Sequence, residues 1–203
     1  MKLIQVNSDI QAYLQATSII NANHPKIITL AQQFAKNQCS KIAIAKLSFE
    51  WVRDNIKHSW DFKLNPTTCI ATDVLRYKTG YCYAKSHLLA ALLRANNIPA
   101  GLCYQRLSIE GNGAPYCLHG LNAIYLLGFG WFRVDPRGNK KNVNAQFIPP
   151  HEQLAFKISD NMERNFPEIR PEPLPAVIEV LQNDRTFDEV YLNLPDYKPA
   201  IFE

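Results

Sequence analysis

The sequence predicts an α+β domain: helices first, an antiparallel sheet second, and one apolar helix joining the two halves. Three observations predict it. Apolar residues recur at roughly helical spacing early in the chain, as in Ile44, Leu47, Trp51 and Ile56. The stretch Tyr83–Asn96 (YAKSHLLAALLRAN) puts Leu88, Leu89, Leu92 and Leu93 on one helix face. From Ala100 the period shifts to strand-like runs, GLCYQRLSI, HGLNAIYLL and WFRVD.

Each element has a local reason. Asn7–Ser8–Asp9 offers a cap before IQAYLQA, and Pro25 suits an early turn of a helix over KIITLAQQFAKN. Ser40 caps a longer helix, KIAIAKLSFEWVRDNIKHSW. Asn65–Pro66–Thr67–Thr68 reads as a loop, and a short helix around ATDVLRYK leads to Gly80. Asn97–Ile98–Pro99 stops the leucine-rich helix. Asn112–Gly113 and Pro115 place a loop ahead of His119, which begins a strand, and Gly128 and Gly130 make the last two strands a hairpin. Beyond Asp135, RGNKKN is a polar loop and PPHEQLAFKI is expected to open a short helix. Residues 167–175 (PEIRPEPLP) hold four prolines and read as an extended linker to a helix over AVIEVLQND. There is no internal repeat.

Composition narrows the function classes. At 203 residues, with 47% hydrophobic and 20% charged residues, the chain suits one globular domain that buries its own core. No apolar run approaches the roughly 20 residues that span a bilayer, and MKLIQVNSDIQAYLQ reads as neither signal nor anchor. No membrane partner is expected. Five widely spaced cysteines (Cys39, Cys69, Cys82, Cys103, Cys117) leave at least one unpaired in a monomer, which fits a reducing compartment and makes the cytoplasm the expected location. With no CxxC pair, and no fourth ligand to join Cys103, Cys117 and His119, no metal is expected. Residues 168–203 carry eight acids against three bases, so a tail of −5 accompanies a body of +9. The basic residues are scattered and lack aromatic interleaving, so no nucleic-acid partner is expected; a basic body packed against its own acidic tail is the simpler reading.

The chemistry gathers around Cys82. It follows a glycine-led turn, TGYC, at the start of the leucine-rich helix. First-turn amides of a helix are unpaired donors with about half a positive charge, which favours thiolate, the nucleophilic form. Downstream, His119 is placed to take and return a proton, and Asp135 to orient the imidazole. The Cys82 backbone amide would serve as one oxyanion donor. Regular alternation puts His119 and Asp135 on one face of neighbouring strands. A turn centred on Phe129, however, would set Asp135 opposite Ala123, roughly 13 Å along the strand from His119. Contact then needs a bulge, a longer turn, or Asp135 leaving the ladder. Tyr81, Tyr83 and Tyr116 are candidates to line a substrate cleft or simply to pack beside it, and His87, on another helix face, reads as structural.

These residues resemble the core of the transglutaminase-like superfamily of cysteine acyltransferases and peptidases. The shared pattern runs from Thr79 to Pro136: Gly80 and Cys82 in the turn, Ala91–Arg94 in the helix, Ile98–Ala100, the strand-leading His119, then Trp131, Asp135 and Pro136. The chain departs from the pattern at Gly101, Leu121 and Arg137, positions that bear on substrate recognition. The resemblance implies a papain-like fold with the nucleophile helix packed on an antiparallel sheet, and contact between His119 and Asp135. With the composition of the tail, the expected organisation is a catalytic domain over residues 1–167 and a Pro-rich acidic extension, 168–203, packed on it. The resemblance also implies an acyl-thioester on Cys82 formed from a peptide or protein amide, a glutamine side chain included, with no metal or organic cofactor. Hydrolysis is weakly favoured over transfer to an amine, since no calcium loop is present. Some members use an upstream Trp indole as second oxyanion donor, which makes Trp60 the candidate, with Asn65 behind it; a packed helix-end aromatic is the alternative. Two rivals stay open. Arylamine N-acetyltransferases share the three residue types, but their Arg-Gly-Gly is Lys78–Thr79–Gly80 here. The other rival is a non-catalytic peptide-binding module of the same fold.

Overall fold

The computed structural model describes residues 1–197; Lys198 and Glu203 of the acidic tail lie outside the described residues. The chain begins with β1 (Ile4–Gln5), a 3-10 turn (Ile10–Tyr13), α1 (Pro25–Ala35) and α2 (Lys41–Asn55). Next come β2 (Lys57–His58), α3 (Ser59–Phe62), α4 (Ala71–Tyr77), β3 (Thr79–Gly80) and α5 (Cys82–Ala95). The sheet strands β4 (Ala100–Ser108), β5 (Tyr116–Leu126) and β6 (Gly130–Val134) follow, then β7 (Gln146–Ile148), β8 (His151–Gln153), β9 (Arg164–Asn165) and β10 (Glu168–Ile169). Helices α6 (Pro175–Asn183) and α7 (Phe187–Leu192) complete the description. No helix among the described residues is long and apolar enough to cross a membrane.

Local chemistry sets the helix starts. Ser40 accepts from the Ala43 amide and Pro25 occupies the first turn of α1, whose cap is His24 accepting from Lys26. The helix expected over IQAYLQA is only the 3-10 turn, capped by Asp9, because Tyr13 is drawn inward to donate to the Ile169 carbonyl at 2.9 Å. α2 stops at Asn55, short of Trp60, for a tertiary reason. Lys57 and His58 pair in parallel with Thr79 and Gly80, and the buried Lys85 ammonium of α5 takes the Arg53 and Ile56 carbonyls at the helix end.

α5 is the axis of the fold. Every residue from Cys82 to Arg94 is buried, enclosed by α1, α2 and α4 on one side and by β4 and β5 on the other. That explains an apolar sequence with little polar face. The sheet has the order β6-β5-β4-β9, antiparallel throughout. Its far face buries Cys103, Leu121 and Ala123 beneath Tyr13 and Ile169.

Three further expectations are corrected. The β5–β6 turn is centred on Gly128, in the left-handed region at φ +90, with Leu126 opposite Gly130 and Asn122 opposite Val134. Continuing that register puts Asp135 opposite Leu121, roughly 7 Å along the strand from His119 rather than 13 Å, and Asp135 has already left the ladder. His119 is an interior residue of β5, which begins at Tyr116. The segment PPHEQLAFKI forms no helix: Pro149 and Pro150 sit in the turn of the β7–β8 hairpin, where their missing N–H groups cost no ladder bond. Phe147, packed between Phe49 and Phe132, fixes that hairpin to the core.

The proline-rich stretch is structured. Glu168–Ile169 pairs in parallel with Ile4–Gln5, and Arg170 bridges to Leu102. The buried Arg94 guanidinium gathers the carbonyls of Gln15, Ala100 and Pro171 at 2.6–3.1 Å, tying α5 to this stretch. Val177, Val180, Leu181 and Val190 of α6 and α7 join the main core.

Candidate active site

Cys82 is the first residue of α5, preceded by Tyr81 in an extended conformation with no side-chain cap. The first-turn amides therefore keep their donor capacity. The turn before it is held from below: Thr68 donates to the Thr79 carbonyl at 2.9 Å, and the Ser59 and Thr79 hydroxyls meet at 3.0 Å. Cys82 is 6% exposed and faces a cleft of about 410 Å³.

The opposite wall is the edge of β5 beyond the end of β6. Amides on one strand edge alternate in direction, so every second residue points outward. Once β6 has ended at Val134, the next outward amide, Gly120 N–H, donates to Cys82 Sγ at 3.4 Å, and the following one, Leu118 N–H, donates to the Pro195 carbonyl at 2.7 Å. The sulfur thus occupies a gap in the sheet edge. The approach depends on the missing side chain at Gly120. A Cβ there would lie 2.8 Å from Tyr83 Cδ1 and 3.1 Å from Tyr83 Cα. Gly120→Ala is expected to force α5 and β5 apart, lowering stability by about 1–3 kcal/mol. Urea denaturation checks this; unchanged stability in the variant would show that the close approach is dispensable.

His119 lies beside the sulfur. Its Nε2 meets Asp135 Oδ2 at 2.7 Å, which leaves Nδ1 for Cys82. Burial alone would push this imidazole down; the negative charges and hydrogen bonds of Asp135 and Cys82 outweigh that and raise it to about 10. The balance favours the protonated ring. Phe156 stands edge-on to it, with ring centroids 5.0 Å apart at 87°. Asp135 is fully buried, and three donors surround its carboxylate: the His119 ring, Arg137 N–H at 3.1 Å and Ala155 N–H at 3.2 Å. Burial opposes ionisation, yet the His119 charge and these donors hold Asp135 below the usual carboxylate range.

The other sequence candidates are distributed unevenly. Trp60 lines the cleft, its indole stacked on Tyr191 at 3.7 Å and 6° with the Lys63 ammonium 3.1 Å from the ring centre. Asn65 Oδ1 accepts from the Phe187 amide at 2.9 Å and so holds the start of α7. Tyr81 and Tyr83 both line the cleft, their hydroxyls donating to the carbonyls of Phe187 and Leu118. Tyr116 lies outside the cleft lining: its hydroxyl is bound to Asp160 at 2.8 Å and its ring lies under Arg106. His87 bonds the Cys69 carbonyl at 2.8 Å within the core, and burial pushes it down to about 4. Burial pushes the thiols of Cys69, Cys103 and Cys117 up to about 12, which sets them apart as poor nucleophiles.

Sequence reasoning missed several cleft residues. His58, 7% exposed, is held neutral by burial and by the Arg137 charge, so its 3.6 Å contact with Asp61 is not an ion pair. Arg137 instead pairs with Asp61 at 2.7 Å; burial would raise that carboxyl, but bonds from Arg137 and Lys140 bring it down to about 2. Arg137 was visible only as an unusual residue after Asp135–Pro136. Nothing in the sequence marked Phe156, Tyr191 or Leu194.

Residues 28–136, more than half of the chain, match the sequence profile of the transglutaminase-like superfamily. No curated protein matches the sequence. Among solved structures, a candidate cysteine protease from Cytophaga hutchinsonii aligns at TM-score 0.50 and 22% identity, over 65% of this chain and 43% of its own. The periplasmic domain of TgpA from Pseudomonas aeruginosa aligns at TM-score 0.45 and 22% identity, over 63% of this chain and 47% of its own. This chain therefore spans less than half the length of either structure, and the first likeness shows a common fold.

Proposed function

Since the chain belongs to the transglutaminase-like superfamily, we infer that it is a cysteine-dependent enzyme acting on peptide or protein amides through a thioester on Cys82. The observation that carries this reading is the 2.7 Å contact of His119 with the buried Asp135, with the ring beside the sulfur at the start of α5.

The steps follow from the residues. The Cys82 sulfur attacks the amide carbon while the Cys82 backbone N–H stabilises the developing oxyanion, with the Trp60 indole N–H as the candidate second donor. His119 gives its proton to the leaving nitrogen as the C–N bond breaks, leaving a thioester and a neutral imidazole held by Asp135. Water then attacks the thioester, His119 takes its proton, and the carboxylate product departs as the thiolate returns. An amine in place of water would give a new amide by the same proton path. Hydrolysis is the preferred reading. No metal or organic cofactor enters these steps. All five cysteines are free, which suits a reducing compartment and supports the cytoplasm as the proposed location.

Competitive alkylation tests the nucleophile. At pH 7, iodoacetamide is expected to label the nearly buried Cys82 at least about tenfold faster than the exposed Cys39, because reactivity follows thiolate character and not exposure alone. Labelling of Cys39 at an equal or higher rate would overturn the enzyme reading in favour of a binding module. Acetyl-CoA-dependent acetylation of Cys82 would instead identify an acetyltransferase.

A further inference from the structure

We propose that the segment from Arg185 to Asp196 completes an apolar subsite beside Cys82 that selects acyl donors with an aromatic or large aliphatic side chain. This rests on the reading of Cys82 as the nucleophile. The segment lies outside residues 28–136, the stretch that matches the superfamily profile.

Three observations carry the assignment. The cleft wall contains Trp60, Tyr81, Tyr83, Phe156, Tyr191 and Leu194, with Tyr191 and the Trp60 indole stacked nearly flat at 3.7 Å. Tyr191 and Leu194 come from the segment itself. Second, the charged groups inside the cleft apart from the reacting pair are already satisfied. Arg137 is paired with Asp61 at 2.7 Å, and the Glu163 carboxylate accepts from the Ser108 and Ser159 amides and the Ser159 hydroxyl at 2.7–3.0 Å. Glu110 and Lys157 also line the cleft but are exposed to solvent. A charged substrate side chain would lose its water with only these two solvent-screened charges to pair with, whereas an apolar one gains by leaving water.

Third, the wall is preorganised. Phe187 donates its amide to Asn65 and accepts from the Tyr81 hydroxyl; Thr67 N–H donates to the Arg185 carbonyl at 3.2 Å. At the far end, Pro195 accepts from Leu118, and Asp196 takes the buried Arg106 guanidinium in a two-pronged pair at 2.7 Å for each bond. A surface fixed this way loses little freedom when a ligand docks. At about 410 Å³ the cleft has room for a ring beside the attacked carbonyl.

Inactivation by N-acetyl amino-acid chloromethyl ketones reads the subsite directly, since the Cys82 thiolate displaces chloride to form a thioether whatever the natural substrate is. For each protein, inactivation efficiency is divided by the iodoacetamide rate at Cys82. The phenylalanine ketone is expected to exceed the glycine and aspartate ketones by about tenfold or more. Tyr191→Phe should keep that ratio, and Tyr191→Ala should bring it within about threefold of unity. A wild-type ratio near one, or a ratio unchanged in Tyr191→Ala, overturns the subsite. Failure of Cys82 to outpace Cys39 with iodoacetamide overturns the underlying nucleophile reading instead, so the two failures are distinct.

Discussion

Cys82→Ala will lower kcat/KM by about 10⁴-fold or more, to the level that binding and oxyanion stabilisation sustain without a nucleophile. Thermodynamic stability is expected to change by only about 1 kcal/mol. Besides its contact with His119 the sulfur accepts one long hydrogen bond, from Gly120 at 3.4 Å, and the packing of α5 rests on the leucines and Arg94 further along the helix. The same substitution removes one of the negative charges that raise His119, so the imidazole should titrate lower in the variant. Steady-state kinetics, urea denaturation and NMR titration of the His119 ring separate these effects. Retained turnover in Cys82→Ala would end the thioester mechanism.

Asp135→Asn is expected to cost about 10⁴-fold in rate, through loss of the imidazole orientation and charge that the carboxylate supplies. The site specifies a carboxylate by its donors. Oδ2 receives His119 and Ala155, while Oδ1 receives Arg137. An asparagine must aim its NH₂ at one of these sets, setting donor against donor at about 1–3 kcal/mol. The pH dependence has a definite sign. His119 is raised to about 10 in the folded protein, above an unfolded value near ~6.5, so its contribution is complete below that lower value and fades as pH rises through about 10. Asp135 is lowered, so its contribution is present above the ordinary carboxylate range and is lost under more acidic conditions. Both are in force between about pH 4 and 6.5. Asp135→Asn should lower the His119 titration and flatten the alkaline loss of stability. Wild-type activity in Asp135→Asn would remove the orienting role.

The parts of this structure legible in the sequence are those governed by neighbours along the chain. Ser40 and Pro25 act where helix-start chemistry puts them, and the change of period at Ala100 marks the passage from α5 to the sheet. What was illegible depends on partners far away in sequence. α2 ends before Trp60 because Lys85 and the Thr79–Gly80 turn intervene, and no local signal announces either. The hairpin register shifted by one turn position because Gly128, rather than Phe129, sits at the left-handed centre, and that difference governs how far Asp135 must reach. In place of the helix expected over PPHEQLAFKI stands the β7–β8 hairpin, which the buried Phe147 fixes to the core through Phe49 and Phe132, partners distant in sequence. Tyr191, Phe156 and His58 reach the cleft only through tertiary contacts, so periodicity could not single them out.

The pairing of β1 with β10, and of the Tyr13 hydroxyl with the Ile169 carbonyl 156 residues away, bears on how the molecule is made. Synthesis delivers Ile4 and Gln5 before their partners, which emerge only after the central helix and all four strands of the main sheet. A nascent chain can thus assemble the α5–β6 nucleus from close-range contacts while β1 stays unpaired, so closure of that far side should be among the last and slowest events of maturation.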